Sequence, residues 1–270
     1  MAAGPRAPPG ALAPGVNRAA TQTSLIGPGA NLRYDATMRT IRLASMALTC
    51  LLVAGGARAE EARGAWEQVS NKDGIVVQRR SVEGYKLKEF LGRGVVAAPI
   101  ARVLAVIRDA GRRAEWMPAC ADSHLVEENL ATRTQLAYHR TKAPWPVSDR
   151  DSINRAEMIV EVAKHRVYLP FEAVTVASVP PVKGVVRMPF MRGHWLLTPV
   201  DGGKATEAEY QVFANPGGIL PDWLANLASK TLPRETIAGL RKQVTRASYP
   251  EFEAEVARAP ETQQLLAHSN

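Results

Sequence analysis

The stretch Phe213–Val244, FANPGGILPDWLANLASKTLPRETIAGLRKQV, decides the fold. Asn215, Pro216, Gly217 and Gly218 break the chain, and Pro221 suits the first turn of a helix, where a missing amide hydrogen costs nothing. Leu220, Trp223, Leu224 and Leu227, then Ile237, Leu240 and Val244, recur at helical spacing, so one face of a long helix is apolar. Pro233 falls inside the pattern and is expected to kink or interrupt it, because proline lacks the amide and crowds the preceding turn. Such a face needs an apolar partner. A single long terminal helix laid across an antiparallel sheet can enclose a ligand cavity.

The preceding sequence supplies the sheet. In the cleanest strand Ala208, Tyr210 and Val212 alternate with Glu207, Glu209 and Gln211. Val186 to Pro199 reads as one strand carrying Met188, Phe190, Trp195 and Leu197, and Val179 to Gly184 as a loop able to hang over a pocket mouth. Arg166 to Ala177 is another strand. The segment APWPVSDRD, residues 143–151, is an extended loop feeding a long strand that runs to about Val162. There Ala156, Met158, Val160 and Val162 should face inward, and the same register carried backward turns Asn154, Ser152 and Arg150 inward too. Buried polar groups need partners, since an unpaired donor or acceptor costs roughly 1–3 kcal/mol.

Thr134, Leu136 and Tyr138 share one face of an earlier strand, with Gln135, Ala137 and His139 on the other; Tyr138 is assigned to the lining. Ile100, Val103, Leu104 and Ile107 mark a helix ending near Gly111. In the strand from Leu87 to Ala97, Gly92 and Gly94 lack side chains on the face of Phe90 and Val96, so the sheet can curve or another element can come close. Asn71-Lys72-Asp73-Gly74 turns the chain into Ile75–Val77. After Val244 the helix should run toward Tyr249, with Glu251 to Arg258 adding a turn or two and residues 259–270 forming a tail.

The net charge of +8 over 270 residues suggests nucleic acid until its location is read. Residues 1–59 hold six arginines and one acid; the remainder has 28 basic and 25 acidic residues and no basic run to follow a phosphate backbone, so no nucleic-acid partner is expected. Residues 1–37, rich in Ala, Gly and Pro, are read as a disordered or mis-assigned extension. Met38 to Ala59 has the three regions of a signal peptide: Arg39 and Arg42, the apolar run Leu43 to Ala54, and Ala57-Arg58-Ala59 as a small-x-small site. The mature domain, residues 60–258, is thus expected in the periplasm or outside the cell. It keeps one cysteine, Cys120, so its stability must come from its core.

Several segments together resemble a known family. Trp66 and Lys72-Asp73-Gly74-Ile75, then Trp116, then Pro144-Trp145-Pro146-Val147-Ser148-Asp149-Arg150-Asp151, then Gly193-His194-Trp195, and finally Asn215-Pro216-Gly217-Gly218 with Pro221-Asp222-Trp223-Leu224 are similar to successive landmarks of START (steroidogenic acute regulatory protein-related lipid transfer) domains. The resemblance spans about residues 64–249. It implies an α+β helix-grip fold, a curved antiparallel sheet wrapped around a long carboxy-terminal helix over a hydrophobic cavity for one lipid or sterol. It also implies that the Arg-Asp pair at Arg150 and Asp151 is a polar handle or an internal ion pair that fixes a loop.

His124, His139, His165, His194 and His268 show no metal-ligand spacing, and no motif for nucleophilic or phosphate chemistry is present, so neither metal nor cofactor is expected. The candidate lining is Trp116, Met117, Tyr138, Met158, Met188, Phe190, Trp195, Tyr210, Trp223 and Leu227, with Arg150, Ser152, Asn154 and Tyr210 as handles. The function expected is non-enzymatic carriage of one lipid or sterol-like molecule by a monomer in transient contact with membranes. The alternative is a helix-grip cyclase or hydrolase acting on an apolar polyketide-like substrate with Tyr138 or Arg150 as acid. Expressed with its leader, the exported protein is expected to begin at Glu60; an amino terminus far from that residue on sequencing rejects the leader reading.

Overall fold

The structure is a computed structural model that describes residues 62–218, 222–246 and 248–267, with no account of the side chains of residues 222–230 and 251. The Met38–Ala59 leader and the side chains of Trp223 and Leu227 lie outside the described residues. The strands are β1 (Glu67–Lys72), β2 (Ile75–Ser81), β3 (Lys88–Val96), β4 (Cys120–Asn129), β5 (Thr134–Thr141), β6 (Arg150–Glu157), β7 (Ile159–Glu161), β8 (Arg166–Ala173), β9 (Val186–Arg187), β10 (Phe190–Val200) and β11 (Ala205–Asn215). The helices are α1 (Ile100–Arg108), α2 (Asp222–Arg246), α3 (Pro250–Arg258) and α4 (Pro260–Ala267), with a 3-10 helix at Ala110–Glu115.

The strands form one open sheet in the order β1-β2-β3-β11-β10-β8-β6-β5-β4, with β7 paired to β8 and β9 to β6. Every pairing is antiparallel except the short one between β9 and β6. Ile237, Leu240 and Val244 of α2 meet Ile75, Val77, Ala208 and Leu197 from the sheet and Val103 and Leu104 from α1 in one buried core. This is the helix-grip arrangement that the element order predicts.

Glycines set how close α2 comes. A Cβ on Gly92 would lie 2.9 Å from Pro233, so the bare backbone of β3 is where the helix rests. At Gly239 a Cβ would run into the Trp116 carbonyl oxygen. Arg241 then fastens the helix to the β1–β2 turn and β3, donating to the carbonyls of Val95 (2.8 Å), Asp73 (2.6 Å) and Gly74 (3.3 Å). Pro233 does not interrupt the helix, which is continuous across it; its ring packs at Gly92 instead of splitting the element.

Three segments depart from the sequence reading. The strand expected to reach Val162 breaks at Met158, where β6 ends and β7 turns to pair with β8. Val186–Pro199 is two strands, because Pro189 cannot donate to a ladder and separates β9 from β10. Beyond α2 the chain forms α3, opened by Pro250 in its first turn, and then α4, where a tail was expected. Leu265 of α4 is fully buried, and Arg133 pairs with Glu261 at 3.0 Å, so this end belongs to the domain.

Alanine is the better helix former by up to about 1 kcal/mol, yet Gly239→Ala should destabilise by about 1–3 kcal/mol, because the methyl group has no room against Trp116. A rightward shift of the urea midpoint in this variant would show that the helix does not depend on that close approach.

Candidate functional site

Between the middle of α2 and the concave face of the sheet lies a cavity of about 680 Å³. Its floor is a row of cross-strand neighbours. Gly92 faces Tyr210, Tyr210 faces Trp195, and Trp195 faces Leu169, so β3, β11, β10 and β8 each place one residue side by side. Rings continue the wall: Trp195 and Tyr210 centroids are 4.7 Å apart, Trp116 and Trp195 6.3 Å, Phe171 and Tyr210 6.0 Å. Thr231, Leu232, Pro233, Glu235 and Thr236 of α2 form the roof. Exposed Lys86, Lys88 and Lys142 border the space, so it opens to solvent there.

Polar groups gather along one wall. Gln135, Ala137, His139 and Thr141 project from β5 and Arg150, Asn154 and Ala156 from β6, with Arg113 from the 3-10 helix. Antiparallel register explains the set, since Ala137 is opposite Asn154, and partners across a ladder share a face. Cys120 Sγ lies 3.5 Å from His139 Nδ1 and donates to the Asp122 carbonyl at 3.6 Å. Burial, reinforced by the charge of Arg113, drops the His139 imidazole's pKa to about 4, and burial raises the Tyr210 phenol to about 12. Arg113 retains accessible area and lines the cavity, yet desolvation lowers its pKa, so that area is cavity surface and not bulk water. Its one hydrogen bond is a long one, 3.4 Å, to the Ile107 carbonyl, and it makes no ion pair among the described residues. Two buried atoms of lining residues have no hydrogen-bond partner: the Trp116 indole N–H and Asn154 Oδ1.

Of the residues expected in the lining, Trp116, Met117, Asn154, Met188, Trp195 and Tyr210 border the cavity, as does Arg150. Ser152 faces the same way but is covered; its Oγ accepts from Asn154 Nδ2 at 3.0 Å and so braces a residue that does reach the space. Tyr138 is misplaced in the sequence reading. It lies opposite Ile153 on the other face of β5, stacks on His124 at 4.8 Å, and has its phenol raised to about 12 by burial and the nearby Asp151 carboxylate. Phe190 also faces away, packed against Tyr85 and Phe213. Because Trp195 points inward, Phe190, five residues earlier on the same strand, must point outward; Met188 escapes that parity by lying before the Pro189 break. Met158, just past the end of β6, packs against the buried core and accepts from Arg108 at 3.8 Å, so it faces inward as expected but does not border the cavity.

Arg150 and Asp151 do not pair with each other, since strand neighbours point to opposite faces. Arg150 binds the carbonyls of Ser148 (2.5 Å), Gly217 (3.3 Å) and Pro216 (3.4 Å), tying β6 to the break before α2. Asp151 holds Arg187 bidentately at 2.7 and 3.1 Å, and Arg187 reaches the carbonyls of Val179 and Pro180. The loop-fixing ion pair exists, with Arg187 as the cation that the sequence did not reveal.

Fold and cavity together define a START-like helix-grip domain. The chain belongs to the family described as polyketide cyclase / dehydrase and lipid transport, whose profile matches residues 96–241. It is 32% identical over 201 residues to an uncharacterised protein of Pseudomonas aeruginosa, covering 74% of this chain and 95% of that one. The phosphatidylcholine transfer protein of Rattus norvegicus is 29% identical over 170 residues, 61% of this chain and 77% of that protein. Among solved structures, a STAR-related lipid transfer protein from Xanthomonas axonopodis is 34% identical, with a TM-score of 0.61 over 67% of this chain and 99% of that one.

The depressed His139 pKa has a pH consequence. Between about pH 6.5 and 4 the unfolded chain binds a proton that the folded chain refuses, so stability present above pH 6.5 is lost as pH falls, by up to about 3 kcal/mol. The urea midpoint of wild type should therefore drop between pH 7 and pH 4.5 by more than that of His139→Gln; parallel curves would place the imidazole in water.

Proposed function

We propose that this protein holds one hydrophobic lipid in the cavity beneath α2 and carries it between membranes without chemistry. The observation that carries this reading is the cavity itself, whose floor and roof are mainly rings, aliphatic side chains and methyl groups. Its volume is within the range of about 300–1,000 Å³ common to small-molecule sites. At about 25 cal/mol per Å², burying some 400 Å² of apolar ligand gives roughly 10 kcal/mol before the costs of association. The lipid-transfer relatives from the rat and from Xanthomonas axonopodis support the same reading.

Docking to a membrane falls to the end of the cavity where Lys86, Lys88 and Lys142 stand. Trp145, 90% exposed, follows Lys142 in the β5–β6 loop. An exposed indole next to lysines suits the interface of an anionic bilayer, where rings settle at the level of the headgroups. The setting we propose is the periplasm or the exterior, in keeping with the leader at Met38–Ala59.

The family's cyclase members keep an enzymatic reading open, and His139 in the cavity wall is the residue that favours it. The acids first considered for it fit poorly: Tyr138 is outside the cavity, and Arg150 is engaged by three carbonyls.

Purified protein extracted with organic solvent should yield close to one lipid per chain by mass spectrometry. Ala156→Trp, which fills the cavity from β6, should reduce that occupancy about tenfold or more while the protein stays folded. Lipid-free protein that takes up nothing from any vesicle would end the carrier reading.

A further inference from the structure

The cavity wall carries unsatisfied chemistry that a plain hydrocarbon guest leaves unanswered. Seven basic residues line the space against one acid, Glu235. Arg79 and Arg108 have outside partners in Glu67 and Glu128. Lys86, Lys88, Arg113, Lys142 and Arg150 have no ion pair among the described residues. Arg113 is the most demanding of them, a guanidinium withdrawn from bulk water with a single long bond to a carbonyl. Its charge is felt at His139, Cys120 and Tyr210, which places it at the polar wall and not at the rim.

In the same cavity lining the Trp116 indole N–H is an unused donor and Asn154 Oδ1 an unused acceptor, both buried. Trp116 follows Arg113 by three residues at the end of the same 3-10 helix and both line the cavity, so an orphan donor and a desolvated guanidinium together call for an anionic oxygen. The orphan acceptor calls for a hydroxyl or N–H on the same guest. A sterol brings one hydroxyl and no anion. Phosphatidylcholine brings a phosphate, but its quaternary ammonium has no hydrogen to give Asn154 and enters a field already positive. The rings near it are ranked against one another, and do not form the open cage of aromatic faces that such a cation needs.

We infer that the preferred guest is an anionic phospholipid whose headgroup ends in hydroxyls, with its phosphate at Arg113 and the Trp116 N–H and a headgroup hydroxyl at Asn154. This rests on the carrier reading above and narrows it to a lipid class. Phosphate oxygens accept from the planar fork of Arg113, and a glycerol-like head donates to Oδ1 while its second hydroxyl hydrogen-bonds to the neutral His139.

The test incubates the full chain with vesicles containing phosphatidylglycerol and phosphatidylcholine in equal amounts with the same acyl chains, and measures the extracted lipids by mass spectrometry. Phosphatidylglycerol should exceed phosphatidylcholine by about tenfold or more. Arg113→Met should collapse that ratio toward one, Arg113→Lys should leave an intermediate preference, and Asn154→Leu should reduce it by about threefold. The wild-type ratio stands by itself if a variant fails to fold. Equal uptake or a preference for phosphatidylcholine overturns this inference and leaves the carrier reading intact; uptake of neither lipid ends both. Glycerol 3-phosphate bound by the chain as tightly as the lipid would overturn the lipid headgroup as the source of the anion.

Discussion

The backbone-to-backbone seat of α2 is the constraint on which the rest depends. An open sheet has one concave face to bury and a single helix to bury it with. Ordinary side chains would hold the two about 10 Å apart. Gly92, Gly94 and Gly239 remove the spacers, and Arg241 and the Trp116 carbonyl fix the helix at that depth. Below the seat Ile237, Leu240 and Val244 fill the space completely. Above it, under Thr231, Leu232 and Pro233, the hollow begins. An apolar hollow of about 680 Å³ that opens to solvent is a place where an apolar guest gains by leaving water.

The sequence displayed the elements more faithfully than it displayed their faces. The helical spacing of Ile237, Leu240 and Val244, the alternation of Ala208, Tyr210 and Val212, and the glycines of β3 all reflect local rules, and each is legible. Which side of a strand meets the cavity depends on register with a partner far away in the chain. Asn154 was read as inward from its own strand, yet the consequence for Ala137 and His139, and against Tyr138, follows only once Ala137 is known to stand opposite Asn154. Breaks undo parity counting in the same way. Met188 and Phe190 look equivalent until Pro189 separates them, and Met158 faces the core yet, past the end of β6, does not border the cavity. Arg113 carried no periodic signal, being in a 3-10 helix whose orientation is set by the packing of its neighbours.

Charge is distributed unequally across the two faces of the sheet. On the outer face each buried acid is met: Glu89 by Arg80 and Gln211, Glu209 by Arg93 and His194. Asp151, turned away from the cavity, is met by Arg187. The chain thus has carboxylates to spare for neutralising arginines and uses them where no guest can reach. A buried charge without a partner is costly enough that folding alone would not retain it. Arg150 is accounted for by three carbonyls that fix the approach to α2. Arg113 is not accounted for by anything in the fold, and neither are the Trp116 N–H and Asn154 Oδ1. All three belong to residues that line the apolar cavity beneath α2. Their cost to the empty protein is recovered when a guest arrives with a complementary group for each, so the same deficit that weakens the unliganded state makes binding selective.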